Sequence, residues 1–305
     1  MLKFEMTHRR AVGLMVLVTL MWSIAGVVSR QFEAAGGFEV TFWRSAFNAL
    51  ALLILLSLLR GPATLWRSIR EGGAALWVSG VCWSVMFTAF MLAITMTTVA
   101  NVLVTMAVAP LFTAIAARVA LGHRLPARTM GAIALAAAGI AWMYGHEVAG
   151  GDPRHIAGTI VALGVPLAAA VNWTLLQHLR QRSAAGSTPA PDMLPAVLVG
   201  AVLSAAVALP LSFPMQATAS DLGWLALLGT FQLAIPCLIA VSVSRALSAP
   251  EVSLLALLEV IFGVAWAWMG AGESPSLQVL AGGGLVLLAL AGNELLGLRR
   301  KAVAT

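Results

Sequence analysis

Apolar residues along this chain come in continuous runs about as long as a bilayer-crossing helix, separated by short polar breaks. Ten such segments can be drawn, roughly 11–31, 38–60, 72–95, 98–121, 127–145, 156–180, 193–213, 221–246, 250–270 and 275–297. A hydrocarbon core about 30 Å thick needs roughly 20 apolar residues per helical crossing, so each run predicts one transmembrane helix. A β-barrel would show alternating segments of about ten residues, and these runs do not alternate. The longest polar interruptions lie near 61–71, 146–155 and 181–192. The third and fourth segments nearly touch around Thr95–Thr98, as do the eighth and ninth around Ser248–Pro250, and each pair predicts a tight helical hairpin.

The ten segments divide into two halves. The stretch Pro250 to Pro275 has a counterpart 150 residues earlier, Ala100 to Pro126. Laid together without gaps, Val102 meets Val252, Phe112 meets Phe262, Ala117 meets Ala267 and Gly122 meets Gly272, and the surrounding hydropathy repeats at the same offset. The halves are residues 1–147 and 148–305, five crossings each. Five is odd, so the second half enters the membrane from the opposite face, the inverted repeat of many secondary transporters. Loop charges agree. Apart from Arg44, inside the second segment, only Arg30 and Arg154 fall clearly on one side, and the rest of the 18 Lys and Arg fall on the other. The positive-inside rule then puts both termini in the cytoplasm. The fourth helix exits through His123, Arg124 and Arg128, whereas the ninth exits through Glu273 with no base nearby.

Composition narrows the class further. Sixty per cent of the 305 residues are apolar and ten per cent charged, far from the balance of a soluble domain. The chain reads as an all-α integral membrane protein. Its formal charge of +6 follows from the topogenic bias of the loops and calls for no nucleic acid. Cys82 and Cys237 fall inside predicted helices of different halves, with no metal-ligand spacing and no disulfide framework. The segment after Arg9-Arg10 is too long for a signal peptide, and no small-residue cleavage site follows it, so it is read as the first membrane helix.

Met21-Trp22-Ser23 in the first helix, Phe42-Trp43-Arg44 in the second, Pro110 in the fourth and Gly272-Glu273 after the ninth form a further pattern. With two five-helix repeats, it resembles the drug/metabolite transporter superfamily, EamA type, over nearly the whole chain. The resemblance implies a helix basket around a central cavity lined by the first, third, fourth, sixth, eighth and ninth helices. It implies export of amino acids and other small metabolites, and within the family the chain looks most like the YddG-like aromatic-amino-acid exporters of Gram-negative bacteria. Location in a bacterial inner membrane follows from that likeness. One departure is plain: where family repeats often carry Gly-Glu after the fourth helix, this chain reads Gly122-His123.

Several residues could carry the chemistry. Glu259 lies nine residues past Pro250, about 13 Å along a helix and near mid-membrane. An ionisable group there is a functional candidate by default: it could attract a substrate ammonium, carry a coupling proton, or be a carboxyl held by a neighbouring helix. Arg44 could draw in a substrate carboxylate with its planar fork. It could also be a structural or gating lock at the outer end of the bundle, the preferred reading because the second helix is peripheral in the resembled family. Asn101 and Thr105 share a face of the fourth helix, while Asn172 and Gln232 sit mid-helix in the sixth and eighth. Such groups either glue helices or bind the charged ends of an amino acid. Trp22, Trp83, Met86, Phe87, Trp173 and Phe262 could form an aromatic lining, or simply pack. Trp66, Trp77 and Trp224 are read as interface anchors. Pro110 and Pro236, with Pro166 and Pro210, kink helices or act as hinges. Gly282-Gly283-Gly284 suits close helix packing or a homodimer face.

The expected function is therefore secondary transport of amino acids and related small metabolites by alternating access, as a monomer or possible homodimer, with the lipid bilayer as surroundings. No P-loop is present, and no cofactor or metal is called for. A multidrug or other metabolite exporter of the same fold is the alternative. An intramembrane enzyme is the remote one, because all five histidines fall in loops or at helix ends and no clustered nucleophile, base or metal ligands appear.

Overall fold

The computed structural model describes residues 6–121, 152–186 and 191–270, with separate positions between 131 and 142 and between 272 and 292. These residues are helical, with no strand among them. Eight helices are long and apolar enough to cross a membrane: α1 His8–Ser29, α2 Gly37–Arg60, α4 Gly73–Met96, α5 Val99–Ala120, α6 Pro153–Ala184, α7 Leu194–Leu211, α8 Ala219–Val243 and α9 Ala249–Gly270. The chain is a multi-pass membrane protein. Most of the predicted fifth segment and part of the tenth lie outside the described residues.

A further helix, α3, spans Pro62–Glu71. The sequence pattern predicts a polar interruption over 61–71, where the structure has a helix. Pro62 supplies a preset φ at the first helical position, and Gly61, at φ +82°, lets α2 stop and α3 start at one residue. Hydropathy misses α3 because it is too short and too polar to cross a bilayer. Its apolar residues nonetheless share one side: Leu65 is buried and Ile69 half-buried one turn on, with Arg67 and Arg70 exposed.

Helices from the two parts of the chain interleave. α1 packs on α8 and α9, and α6 packs on α4 and α5; α4 lies against α7, and α2 against α8. Small residues allow the closest approaches, as is common between helices in lipid. A Cβ on Gly200 of α7 would stand 2.8 Å from the Gly80 carbonyl of α4, and one on Gly229 of α8 would stand 2.7 Å from the Arg44 carbonyl of α2.

Polar ties close both ends of the bundle. At one end, Arg30 donates to the carbonyls of Ile94 (3.4 Å) and Thr97 (3.3 Å), and Arg154 donates to that of Thr95 (2.9 Å). These are the carbonyls of the turn between α4 and α5, which the helices leave without intrahelical donors. Beside them the buried Asp221 carboxylate accepts from the backbone N–H of Glu33 (2.7 Å), Ala34 (3.1 Å), Ala35 (3.0 Å) and Thr218 (3.1 Å). The buried Glu39 carboxylate likewise accepts from Gln216 (2.9 Å) and Ala217 (2.8 Å). At the other end Arg180 donates to the carbonyls of Arg245 (3.1 Å) and Leu247 (3.0 Å), in the turn between α8 and α9. Arg60 pairs with Asp192 there. Arg30 and Arg180 stand 150 residues apart, and so do Thr97 and Leu247.

Asp221→Ala strips four backbone donors of a charged acceptor and is expected to destabilise the protein by about 2–4 kcal/mol. Asp152→Ala, which removes only the exposed N-cap of α6, is expected to cost about 1 kcal/mol. Thermal unfolding of the two variants in detergent checks the ranking.

Candidate functional site

Four of the membrane helices are interrupted within their length, and a fifth, α7, ends in a 3-10 turn over Leu209–Leu211. α1 breaks at Ile24, α5 at Ala107–Val108, α6 at Leu163, and α8 widens into a π-helix over Leu228–Ala234. Proline accounts for much of this. Pro110 has no N–H for the Met106 carbonyl, and Pro236 has none for that of Gln232, so each disturbs the turn before it. A freed backbone group is tolerated at membrane depth only where protein or a water-filled cavity receives it.

All four broken helices border one cavity of about 100 Å³. Trp22 of α1, Met106 and Ala109 of α5, Val165, Pro166, Ala169 and Trp173 of α6, and Gln232, Leu233 and Cys237 of α8 form its walls. α4 adds Trp83, Met86, Phe87 and Phe90, and α9 adds Ser253, Ala256, Leu257, Glu259 and Val260. These six helices are the ones the resemblance led us to expect. A seventh, α2, reaches the wall through Arg44.

Arg44 is 1% exposed. Its guanidinium donates to Gln232 Oε1 at 2.8 Å and lies 5.5 Å from the centre of the Phe90 ring. The Gln232 amide in turn donates to the Trp22 carbonyl at 3.0 Å, which orients the oxygen toward the arginine. The π-helix thus has a local purpose: it carries Gln232 into the bundle between α1 and α2. The Nε and Nη1 groups of Arg44 are buried and have no partner among the described residues. A guanidinium is always charged, and leaving its donors unmet in a low-dielectric interior is costly.

Glu259 lines the same cavity and is 7% exposed. No ion pair of the described residues joins it to Arg44. A cation and a carboxyl therefore face one small space without neutralising each other by contact. The same cavity is lined by an aromatic cluster. The Trp83 and Trp173 rings meet edge to face with centroids 5.7 Å apart, and Trp83 and Phe87 lie 5.5 Å apart. Edge-to-face and tilted pairs are favourable geometries, so the rings hold one another in place.

Of the residues proposed from sequence, the structure brings Trp22, Trp83, Met86, Phe87, Trp173, Gln232 and Glu259 to this cavity. Arg44 joins them on the wall, although the sequence reading preferred it as a lock at the bundle end. Asn101, Thr105, Asn172 and Phe262 are not part of its lining. Asn101 donates to the Thr97 hydroxyl at 3.1 Å near the start of α5, and Thr105 donates to the Asn101 carbonyl at 2.7 Å. Asn172 accepts from Ser79 at 2.6 Å between α6 and α4. Phe262 is partly buried three residues beyond Glu259. Phe90, Cys237 and Ser253 are wall residues that the sequence reading did not select. Phe90 had a legible signal: Trp83, Phe87 and Phe90 recur at i, i+4, i+7 on one face of α4. The other two had none, being small residues of ordinary type.

Comparison with known proteins bears on the first half most directly. Residues 9–145 match the EamA-like transporter family. No curated protein matches the sequence. A solved structure described only as the crystal structure of a protein is similar at a TM-score of 0.64, with 18% identity, over 95% of this chain and 99% of that one. At that identity the likeness concerns the fold.

Gln232→Leu removes the only side-chain acceptor of Arg44 among the described residues and is expected to destabilise by about 2–3 kcal/mol. The double variant Arg44→Met with Gln232→Leu is expected to recover most of that loss. Unfolding midpoints of the two singles and the double, taken as a cycle, measure the coupling.

Proposed function

We propose that the chain is a secondary transporter of small zwitterionic metabolites, amino acids with aromatic or large apolar side chains, exporting them by alternating access of two inverted five-helix halves. The observation that carries this reading is the unjoined pair, Arg44 and Glu259, lining one cavity together with an aromatic cluster. The free Nε and Nη1 donors of Arg44 suit a carboxylate, for which the planar fork is well shaped. Glu259 suits the ammonium. Trp83, Phe87 and Trp173 suit the side chain. A ligand bearing both charges meets two costly buried groups at once, which links affinity to its zwitterionic form.

Alternating access is supported by the way contacts recur. A shift of 150 residues carries α1 to α6, α2 to α7, α4 to α8 and α5 to α9. It turns the α1–α9 contact into α6–α5, α1–α8 into α6–α4, and α4–α7 into α8–α2, and all of these are observed. The same shift carries the Arg30–Thr97 bond at one end to the Arg180–Leu247 bond at the other. Two matching latches on opposite ends are what a carrier needs if each end opens in turn. The halves on this reading are 1–147 and 148–305, with both termini cytoplasmic by the positive-inside rule and the protein in a bacterial inner membrane. Gly283 lies against Val104 of the same chain, 3.0 Å from where its Cβ would be, which favours a monomer over a homodimer joined at Gly282–Gly284.

The test is uptake of radiolabelled tryptophan, phenylalanine and leucine by liposomes containing the purified chain. Saturable uptake is expected, with affinity falling about tenfold or more in Arg44→Gln and in Glu259→Gln, since each removes a charge-assisted contact. Competition separates the two roles. Tryptamine, lacking the carboxylate, should compete equally well against wild type and Arg44→Gln; indole-3-propionate, lacking the amine, should be indifferent to Glu259→Gln. Folded protein that takes up no amino acid, or variants with unchanged affinity, would overturn the reading.

A further inference from the structure

A second concavity lies outside the bundle, at the end that carries Arg60 and Arg180. It is a groove of about 480 Å³ whose walls come from α2 (Leu50, Leu53), α3 (Leu65, Trp66, Ile69), the start of α4 (Trp77) and α7 (Val202). Its rim residues remain uncovered by protein: Trp66 is 67% exposed, Leu50 54%, Val202 50% and Trp77 49%. The transport reading makes no use of it.

α3 gives the groove a polar edge as well as an apolar floor. Leu65 and Ile69, one turn apart, face inward. Trp66 stands at the edge, and Arg70 follows it one turn later on the same side, with Arg67 next around the helix. Both arginines are exposed, and neither joins an ion pair of the described residues. A short helix with tryptophan between an apolar stripe and arginines is the composition of a segment lying in the membrane interface. Trp77, near the start of a membrane helix, also lines the groove.

We propose that this groove is a binding site for an anionic phospholipid of the adjoining leaflet, with one acyl chain in the groove and the phosphate group against Arg67 and Arg70. The apolar wall alone accepts any acyl chain. Glu71 on α3 forms no ion pair with Arg67 or Arg70 among the described residues, so the two arginines at the groove's edge select the headgroup, because basic residues at the interface attract anionic lipid. Arg60, whose charge is taken by Asp192, adds nothing to this selection.

The experiment is native mass spectrometry of the full, delipidated chain in detergent, titrated with dioleoyl phosphatidylglycerol and, separately, dioleoyl phosphatidylcholine. The wild type is expected to retain one phosphatidylglycerol about tenfold more tightly than phosphatidylcholine. Arg67→Gln with Arg70→Gln should abolish that preference while leaving phosphatidylcholine binding unchanged. Leu53→Trp, which fills the groove, should weaken both lipids. Arg182→Gln, a change at an exposed arginine away from the groove, should leave the preference intact. Equal retention of both lipids by the wild type overturns the site, and so does a preference that survives the double substitution or is lost equally in Arg182→Gln. Each variant is first shown to elute as a single species with unaltered helical circular dichroism. No transport is measured, so the outcome is independent of whether the central cavity carries amino acids.

Discussion

Inside hydrocarbon a backbone group released from its helix finds no water, and it must be received by protein or by a wet cavity. That constraint arranges the bundle. The breaks in α1, α5, α6 and α8 all fall where those helices border the cavity, and none of the four helices could be interrupted on a lipid-facing stretch without loss. At the helix ends the same demand is met by side chains. Arg30, Arg154 and Arg180 donate to turn carbonyls, and Asp221 and Glu39 accept from loop N–H groups. The irregular parts of the chain are thus held by polar bonds, while the regular parts are held by close packing at glycines such as Gly200 and Gly229.

Arg44 shows how the two kinds of region depend on each other. Its guanidinium enters the cavity only because Gly229 allows α8 to approach the α2 backbone, and it is held there only because the π-helix presents Gln232. Gln232 is itself fixed by the Trp22 carbonyl of the broken α1. The charge is satisfied in part, with two donor groups left without a partner among the described residues. A partly satisfied buried charge is a poor source of stability, and it is well suited to meeting a ligand of opposite sign.

The interleaved packing has a mechanical consequence. Each end of the bundle has its own set of arginine-to-carbonyl bonds on a helical turn, 3.3 Å for Arg30 to Thr97 and 3.0 Å for Arg180 to Leu247. These bonds are part-buried at the two ends, and the helices pack extensively between them. The ends of the bundle are thus held by polar bonds and its middle by packing between helices.

The class of the protein was legible in the sequence, because hydropathy integrates over some 20 residues and the membrane demands such runs. Eight of the predicted crossings coincide closely with observed helices. The aromatic wall and Glu259 were legible too, since residues on one face of a helix already in the right layer need only a periodic pattern to be found. Arg44 was visible as an intramembrane charge, but its place on the cavity wall depends on how closely α2 and α8 meet, which no local pattern records. Asn101, Thr105 and Asn172 looked like cavity residues for the same reason in reverse: their helices border the cavity, and which side of each helix faces it is set by packing across the bundle. α3 escaped hydropathy because a half-buried interfacial helix has the mean composition of a loop. Sequence by itself determined which segments enter the membrane and which types of chemistry they bring, because transfer from water to lipid is a sum over residues. Which of those residues share a cavity was decided only by the tertiary structure, because rotation of a helix about its axis is fixed by contacts between distant parts of the chain.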